Sequence, residues 1–221
     1  MIIAIDGPAG AGKSTIAKLI AQELGFLYID TGAMYRALTL KVMDEGLDPN
    51  DTDRVIALAA STEIDLINEN RKALKVTLDG KDVSRQIREV RITRHVSDIA
   101  KIKEVRAVML ELQRKLGKKG SSVLDGRDIG TVVFPDADKK FYLDANFNER
   151  AKRRYMELNE MGQQITLADV EGDLSNRDTI DSTRSCAPLK KADDAIYVDS
   201  TNMTIEEVAD VLLKEIQKVK S

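Results

Sequence analysis

The sequence predicts an α/β fold with a mostly parallel central sheet and helices on both faces. Three observations carry this. A short apolar run, a glycine-rich loop and an amphipathic stretch follow one another from the first residues. Strand-like and helix-like stretches then alternate to the end of the chain. Several strand-like stretches stop at polar, glycine-bearing turns, where open parallel sheets bind their ligands.

Ile2-Ile3-Ala4-Ile5 is apolar and largely β-branched, as a buried parallel strand requires. Gly7-Pro8-Ala9-Gly10-Ala11-Gly12-Lys13-Ser14-Thr15 follows and fits G-x-x-x-x-G-K-[ST], the P-loop pattern. Ile16 to Leu24 predicts a helix with Ile16, Leu19, Ile20 and Leu24 on one face. In that setting the glycines let successive N–H groups converge on phosphate oxygens. The helix N-terminus adds its partial positive charge. Lys13 is placed to reach the β- and γ-phosphates of a nucleoside triphosphate, and the Ser14 hydroxyl to ligate Mg²⁺.

Leu27-Tyr28-Ile29 predicts the second strand. It stops at Asp30-Thr31-Gly32, which opens a helix to about Glu45 with Ala33, Ala37, Leu38 and Val42 on one face. Another helix is expected over Thr52 to Ala60. The period then changes to two. Glu63-Ile64-Asp65-Leu66-Ile67 and Leu74-Lys75-Val76-Thr77-Leu78 read as half-exposed antiparallel strands, joined by a turn over Asn68 to Lys72 and ended by Asp79-Gly80. This stretch is a small β-containing insertion. Helical patterns resume at about Arg91 to Ala100 and Glu104 to Leu116, and Gly117-Lys118-Lys119-Gly120 reads as a solvated basic turn. Ser122-Val123-Leu124 is a strand leading into Asp125-Gly126-Arg127-Asp128, and Lys140-Phe141-Tyr142-Leu143 is the next. Phe147 to Met161 is a strongly charged helix, and Thr166 to Asn176 a second one. Ala195-Ile196-Tyr197-Val198 is the last strand, and Thr204 to Val219 the closing amphipathic helix.

The 221 residues suffice for one substantial core with a small inserted lobe. A net charge of −3 argues against binding a nucleic-acid polymer. No apolar run approaches the ~18 residues of a membrane span. The first residues carry no signal-peptide pattern, and one cysteine, Cys186, forms no intrachain disulfide, so a reducing cytoplasm is expected. With His95 the one histidine, neither a histidine triad nor a multi-histidine metal site is expected.

A P-loop alone says only that a triphosphate or similar group binds. A GTPase switch wants an N-K-x-D motif, which the sequence lacks, and its D-x-x-G stretch, Asp169 to Gly172, lies in a helical segment. Motor ATPases end an apolar strand in an Asp-Glu pair, whereas here the strand ends in Asp125-Gly126-Arg127-Asp128. Arginines are instead spread around the expected cleft: Arg36, Arg127, the trio Arg150, Arg153 and Arg154 on one helix face, then Arg177 and Arg184. A phosphoryl acceptor that is itself a phosphate needs such an arrangement, because two anions must be brought together and neutralised. By spacing alone, the Arg150 to Arg154 face reads equally well as an ordinary solvated helix surface.

Asp30-Thr31-Gly32-Ala33-Met34-Tyr35-Arg36, Asp125-Gly126-Arg127-Asp128-Ile129-Gly130-Thr131-Val132-Val133 and Ala187-Pro188-Leu189, with the P-loop, resemble the bacterial-type cytidylate kinases. The resemblance covers essentially the whole chain, and the D-G-R-D-x-G-T-V-V stretch is far more specific than the P-loop. It implies the P-loop kinase fold of nucleoside monophosphate kinases as a single domain over 1–221. An acceptor-binding insertion would span about 60–103 and a helical lid about 147–177. It implies transfer of the γ-phosphoryl group of ATP, bound with Mg²⁺, to CMP or dCMP in pyrimidine nucleotide metabolism, by a cytoplasmic monomer. Carried over, Gly7 to Thr15 bind ATP, and Ser14 and Asp125 hold Mg²⁺. Lys13, Arg127, Arg150, Arg153 and Arg154 serve catalysis, the last three on the lid, with Arg177 joining them. Arg36 and Arg127 grip the acceptor phosphate, with Thr31 near it; Thr31 stands where some relatives carry serine. Ser97, Arg106 and Asp128 read cytosine, and Asp181 and Arg184 contact the sugar. Two alternatives stay open on the residues alone: a kinase of another small acceptor, such as UMP or a non-nucleotide alcohol, and a nucleotide-dependent switch.

Overall fold

A computed structural model of the chain describes residues 1–69 and 73–218. Its central sheet has five parallel strands: β1 (Ile2–Asp6), β2 (Leu27–Asp30), then β6 (Ser122–Gly126), β7 (Lys139–Asp144) and β8 (Ile196–Asp199). Their order is β2-β6-β1-β7-β8. Strand β1 therefore lies in the middle, and the chain leaves it toward one side first and the other side later. Register aligns the strand ends: Asp30 lies beside Asp125, Ile5 beside Asp125, and Asp6 between Gly126 and Tyr142. Every loop that follows a strand thus opens on the same edge, as in other open α/β sheets.

Neighbouring strand residues point to opposite faces, and the two apolar clusters show it. Ala4, Ile29 and Leu124 face one side, where they meet α2 (Thr31–Asp44), α4 (Val90–Ala100) and α5 (Lys103–Gly117) through Met34, Leu38, Ile99, Val105 and Met109. Ile3, Ile5, Tyr28, Val123, Phe141 and Leu143 face the other side. There they meet Ile16 and Ile20 of α1 (Lys13–Leu24) and Val208, Leu212 and Ile216 of α8 (Ile205–Gln217). A smaller third cluster joins α6 (Phe147–Glu160) to α7 (Leu167–Thr183) through Ala151, Leu158, Val170 and Leu174.

The insertion packs beside the first of these faces. After α3 (Thr52–Ala60), β3 (Ile64–Glu69) and β4 (Ala73–Leu78) pair antiparallel, Ile64 opposite Leu78. The expected turn between them, Asn68 to Lys72, falls in part on residues outside those described. A third strand, β5 (Lys81–Asp82), pairs with β4 just beyond the expected end at Asp79-Gly80. It is two exposed residues long, too short for any alternation to announce it.

Two expected boundaries move, and one unexpected turn appears. Helix α7 runs to Thr183 rather than Asn176. Its last turns carry Arg177, Asp181 and Arg184 inward, so their face is polar and the apolar period that marks a helix fades. Gly117 belongs to α5 and is buried, with only Lys118 to Gly120 exposed. A Cβ at Gly117 would lie 2.6 Å from the Phe134 ring, so the glycine permits that close packing. Ile129–Val133 forms one turn of π-helix where no helix was expected. Among the described residues no helix is long and apolar enough to cross a membrane.

Candidate active site

The phosphate loop joins β1 to α1. Gly7 adopts φ +148°, and a Cβ there would sit 1.9 Å from the Leu143 carbonyl oxygen. Gly10 adopts φ +78°, with a Cβ position 2.9 Å from the Arg150 carbonyl oxygen. Only glycine fits either place. Lys13 lies at the start of α1, buried, with Nζ donating to the Pro8 carbonyl at 2.6 Å. Burial first, then the nearby Arg127, hold its amine well below the usual lysine range. Such a site favours an anion, which would restore the ammonium form.

The end of β6 supplies the acidic wall. Asp125 accepts from Ser14 Oγ at 2.7 Å and from the Tyr28 hydroxyl at 3.0 Å, while Thr31 Oγ1 donates to its carbonyl at 2.6 Å. Burial, reinforced by Asp30, pushes the Asp125 carboxyl up to about 6. Asp30 caps α2 by accepting from Ala33 N–H at 2.7 Å and holds Arg36 at 3.0 Å. Among the described residues no cluster of three or more His, Cys, Asp or Glu side chains is gathered for a metal. The Ser14 hydroxyl and Asp125 carboxylate do fit Mg²⁺, which takes one or two hard protein oxygens and fills its shell with phosphate and water.

On the other side of the cleft, acids and guanidinium groups alternate in a buried chain. Arg106 donates through Nη2 to Asp128 Oδ2, and its guanidinium lies 5.5 Å from the centre of the Tyr35 ring. Arg184 stands 3.7 Å from Asp128 and 3.5 Å from Asp181, with Nε donating to the Ala187 carbonyl at 2.8 Å. Asp181 accepts from Arg127 Nε at 2.9 Å and from Ser97 Oγ at 3.4 Å. Burial raises the Asp181 pKa, but Arg127, Arg177 and Arg184 outweigh it and hold the carboxyl below the ordinary range. Arg177 goes the other way: burial, then Arg127, bring it down to about 10. Its Nε is buried with no hydrogen-bond partner among the described residues. A guanidinium so placed gains from an incoming anion.

The arginines expected on one helix face separate in their contacts. Arg150 is buried, which corrects the solvated-face reading for it. It donates to the carbonyls of Ala9 (2.9 Å) and Ala145 (3.0 Å) and to Asp178 (2.6 Å). Arg153 is committed to Glu149 at 2.9 Å and to the hydroxyl and carbonyl of Ser200 at 3.0 and 2.7 Å. Arg154 pairs with Glu157 at 2.7 Å.

Two groups escaped sequence reasoning. Tyr28 holds Asp125 from β2. Asp6, buried at the end of β1, accepts from the N–H groups of Ile129 and Gly130 at 2.8 and 2.7 Å. The one sequence signal for Asp6 is a charge on the last residue of an apolar strand, directly before Gly7.

Comparison with known proteins agrees with this architecture. The solved structure of an uncharacterized protein from Eubacterium ventriosum aligns over 99% of this chain and 98% of its own, with TM-score 0.53 and 13% identity, which speaks for the fold alone. A cytidylate kinase of Clostridioides difficile (strain 630) is 50% identical over 216 residues, 98% of either chain. One of Fusobacterium nucleatum is 49% identical over 220 residues, covering 100% of this chain and 99% of the relative. The sequence model of cytidylate kinases matches residues 3–218. With the likeness running end to end, the chain belongs to the cytidylate kinase family.

Proposed function

We propose that the protein transfers the γ-phosphoryl group of ATP to CMP or dCMP, giving ADP and CDP or dCDP. One observation carries the choice of acceptor. Asp128 and Arg106 stand paired and buried beside the edge that carries the P-loop. Cytosine offers an amino donor at position 4 and acceptors at N3 and O2. An ionised Asp128 accepts from the first, and Arg106 donates to the second. Uracil reverses both, leaving buried groups unmatched at about 1–3 kcal/mol each.

The remaining residues take roles consistent with their places. Lys13 and the loop N–H groups bind the donor phosphates. Ser14 and Asp125 hold Mg²⁺, which when bound neutralises charge on the transferring phosphoryl group. Arg36 and Arg127 grip the acceptor phosphate, beside Thr31. Ser97 reads the cytosine ring together with Arg106 and Asp128, while Asp181 and Arg184 meet the sugar. Arg150, Arg153, Arg154 and Arg177 neutralise the phosphates from a lid over about 147–177. The acceptor lobe spans about 60–103 within one domain over 1–221. Little acid–base work is needed when the acceptor is already an anionic oxygen, so catalysis is by positioning and charge neutralisation. Lid closure keeps water from taking the phosphoryl group. The free thiol of Cys186 fits a reducing compartment, and we assign the enzyme to the cytoplasm as a monomer in pyrimidine metabolism.

A coupled ADP-release assay across the nucleoside monophosphates tests this. Release should be fastest with CMP and dCMP, slower with UMP and negligible without acceptor. Equal rates with and without any monophosphate would overturn the kinase reading. A best acceptor other than a cytidine nucleotide would overturn the assignment of the pocket.

A further inference from the structure

The first N–H groups of a helical turn have no partner within it, and an aspartate at the cap position is a favoured acceptor for them. Asp128 holds that position for the turn Ile129–Val133. Its carboxylate is turned away, toward Arg106 and toward Arg184 at 3.7 Å. The N–H groups of Ile129 and Gly130 go instead to Oδ1 and Oδ2 of Asp6, at 2.8 and 2.7 Å. Asp6 is 4% exposed and comes from a different strand, more than 120 residues away in sequence. Gly130 fits tightly into this seat: a Cβ there would lie 3.1 Å from the Lys140 side chain and 3.4 Å from Asp6 Oδ2.

We infer that Asp6 is a positioning residue for acceptor selection: it caps the turn after β6 from the neighbouring strand β1 and so frees Asp128 to face Arg106 and the base of the acceptor. The inference rests on the proposed CMP pocket. With the Ile129 and Gly130 N–H groups taken by Asp6, both oxygens of Asp128 are left facing guanidinium groups, Oδ2 that of Arg106 and Oδ1 that of Arg184. Without Asp6, Asp128 is the nearest aspartate placed to cap that turn. Asp6 also precedes Gly7 directly, so the donor loop and the acceptor-reading turn share one anchor.

Asp6→Asn tests this, because it keeps the shape but turns one of the two acceptors into a donor facing an N–H group. The native enzyme is measured first. If it shows no preference for CMP over UMP, the CMP pocket fails, and the selection inferred for Asp6 fails with it. If it prefers CMP, Asp6→Asn should lower the CMP-to-UMP ratio of kcat/KM about tenfold, with KM for ATP within about twofold of native. In an Asp128→Asn background the same change should leave the ratio nearly where it stands, since both act through one carboxylate. An unchanged ratio in Asp6→Asn overturns the inference. So do losses that fall equally on ATP, CMP and UMP, or effects that multiply in the double variant. Should Asp6→Asn fail to fold, Asp6→Glu takes its place, keeping two acceptors on a longer stem. There a narrowed ratio supports the inference, and a native ratio overturns it.

Discussion

Asp6 shows what a single buried carboxyl costs and provides. Burial lifts its pKa from 3.8 to about 7, against the pull of the Gly130 and Ile129 N–H groups. Lys13 from α1 also lowers it, Asp128 after β6 raises it, and Tyr142 on β7 faces it. The folded chain therefore holds this proton more tightly than the unfolded chain does. Its contribution to stability is full below about pH 4 and is lost as pH rises through about 7. Asp6→Asn, which does not titrate, should thus gain stability relative to native protein between pH 5 and pH 8. Urea melts at the two pH values check the direction. The guanidinium groups give a second prediction. Two parallel hydrogen bonds to phosphate are beyond an ammonium. Arg36→Lys and Arg127→Lys should each lower kcat/KM for CMP about tenfold or more while circular dichroism stays native. If cytidine is phosphorylated as well as CMP, the acceptor-phosphate role of both is wrong.

At the scale of elements, helix α6 separates charge that is structural from charge that is available. Arg150 binds two carbonyls and Asp178 in a buried setting, so Arg150→Ala should lower both stability, by about 3 kcal/mol, and turnover. Arg153 and its partner Glu149 are part-exposed, and Ser200 keeps its bond to the Asp144 carbonyl without Arg153, so Arg153→Ala should reduce turnover with a small change in Tm. Thermal melts beside steady-state rates would distinguish them. Sequence spacing put the three arginines on one face correctly, because spacing fixes direction around a helix. It could not say what each of them meets: Arg150 reaches Ala9 and Asp178, Arg153 reaches Ser200, and Arg154 stays with Glu157 on its own helix. The same limit explains α7. Its first half was legible as a helix over Thr166 to Asn176, whereas its second half turns Arg177 and the buried Asp181 toward the cleft and shows no apolar period. The P-loop and the Asp125 to Val133 stretch were legible because their chemistry is written in consecutive residues. The partnerships of Asp125 with Ser14 and of Asp6 with Gly130 span 111 and 124 residues, beyond any local pattern.

The whole molecule joins two parts across one edge of the sheet. In the proposed assignment Lys13 and the P-loop stand on the donor side, and the chain from Arg106 to Arg127 on the acceptor side. Gln163, in the turn between α6 and α7, accepts from Val90 N–H at 3.0 Å, and Arg94 on α4 pairs with Asp173 on α7 at 2.9 Å. Ligands on both sides should therefore add in stabilising the fold. ATP·Mg²⁺ and CMP together should raise Tm more than either alone. In Lys13→Ala, turnover should fall about a hundredfold or more with the fold intact, and the ATP contribution to that rise should shrink. Near-normal turnover in that variant would sink the P-loop assignment.

The central position of β1 has a consequence for the life of the chain before it is an enzyme. Among the described residues β1 pairs with β6 and β7, as Ile2 with Ser122 and Ile3 with Lys139. Everything from Gly7 to Ser121 must be synthesised before the strand that carries the phosphate loop has a neighbour on either side. Until then Ile2 to Ile5 is an exposed apolar segment, a natural client for chaperones. Nascent chains stalled before Ser122 should not protect the loop from protease in the presence of ATP. Chains extended past Asp144 should begin to do so. The strand that carries the phosphate loop thus waits for partners far along the chain, and refolding should be slow because that pairing is non-local.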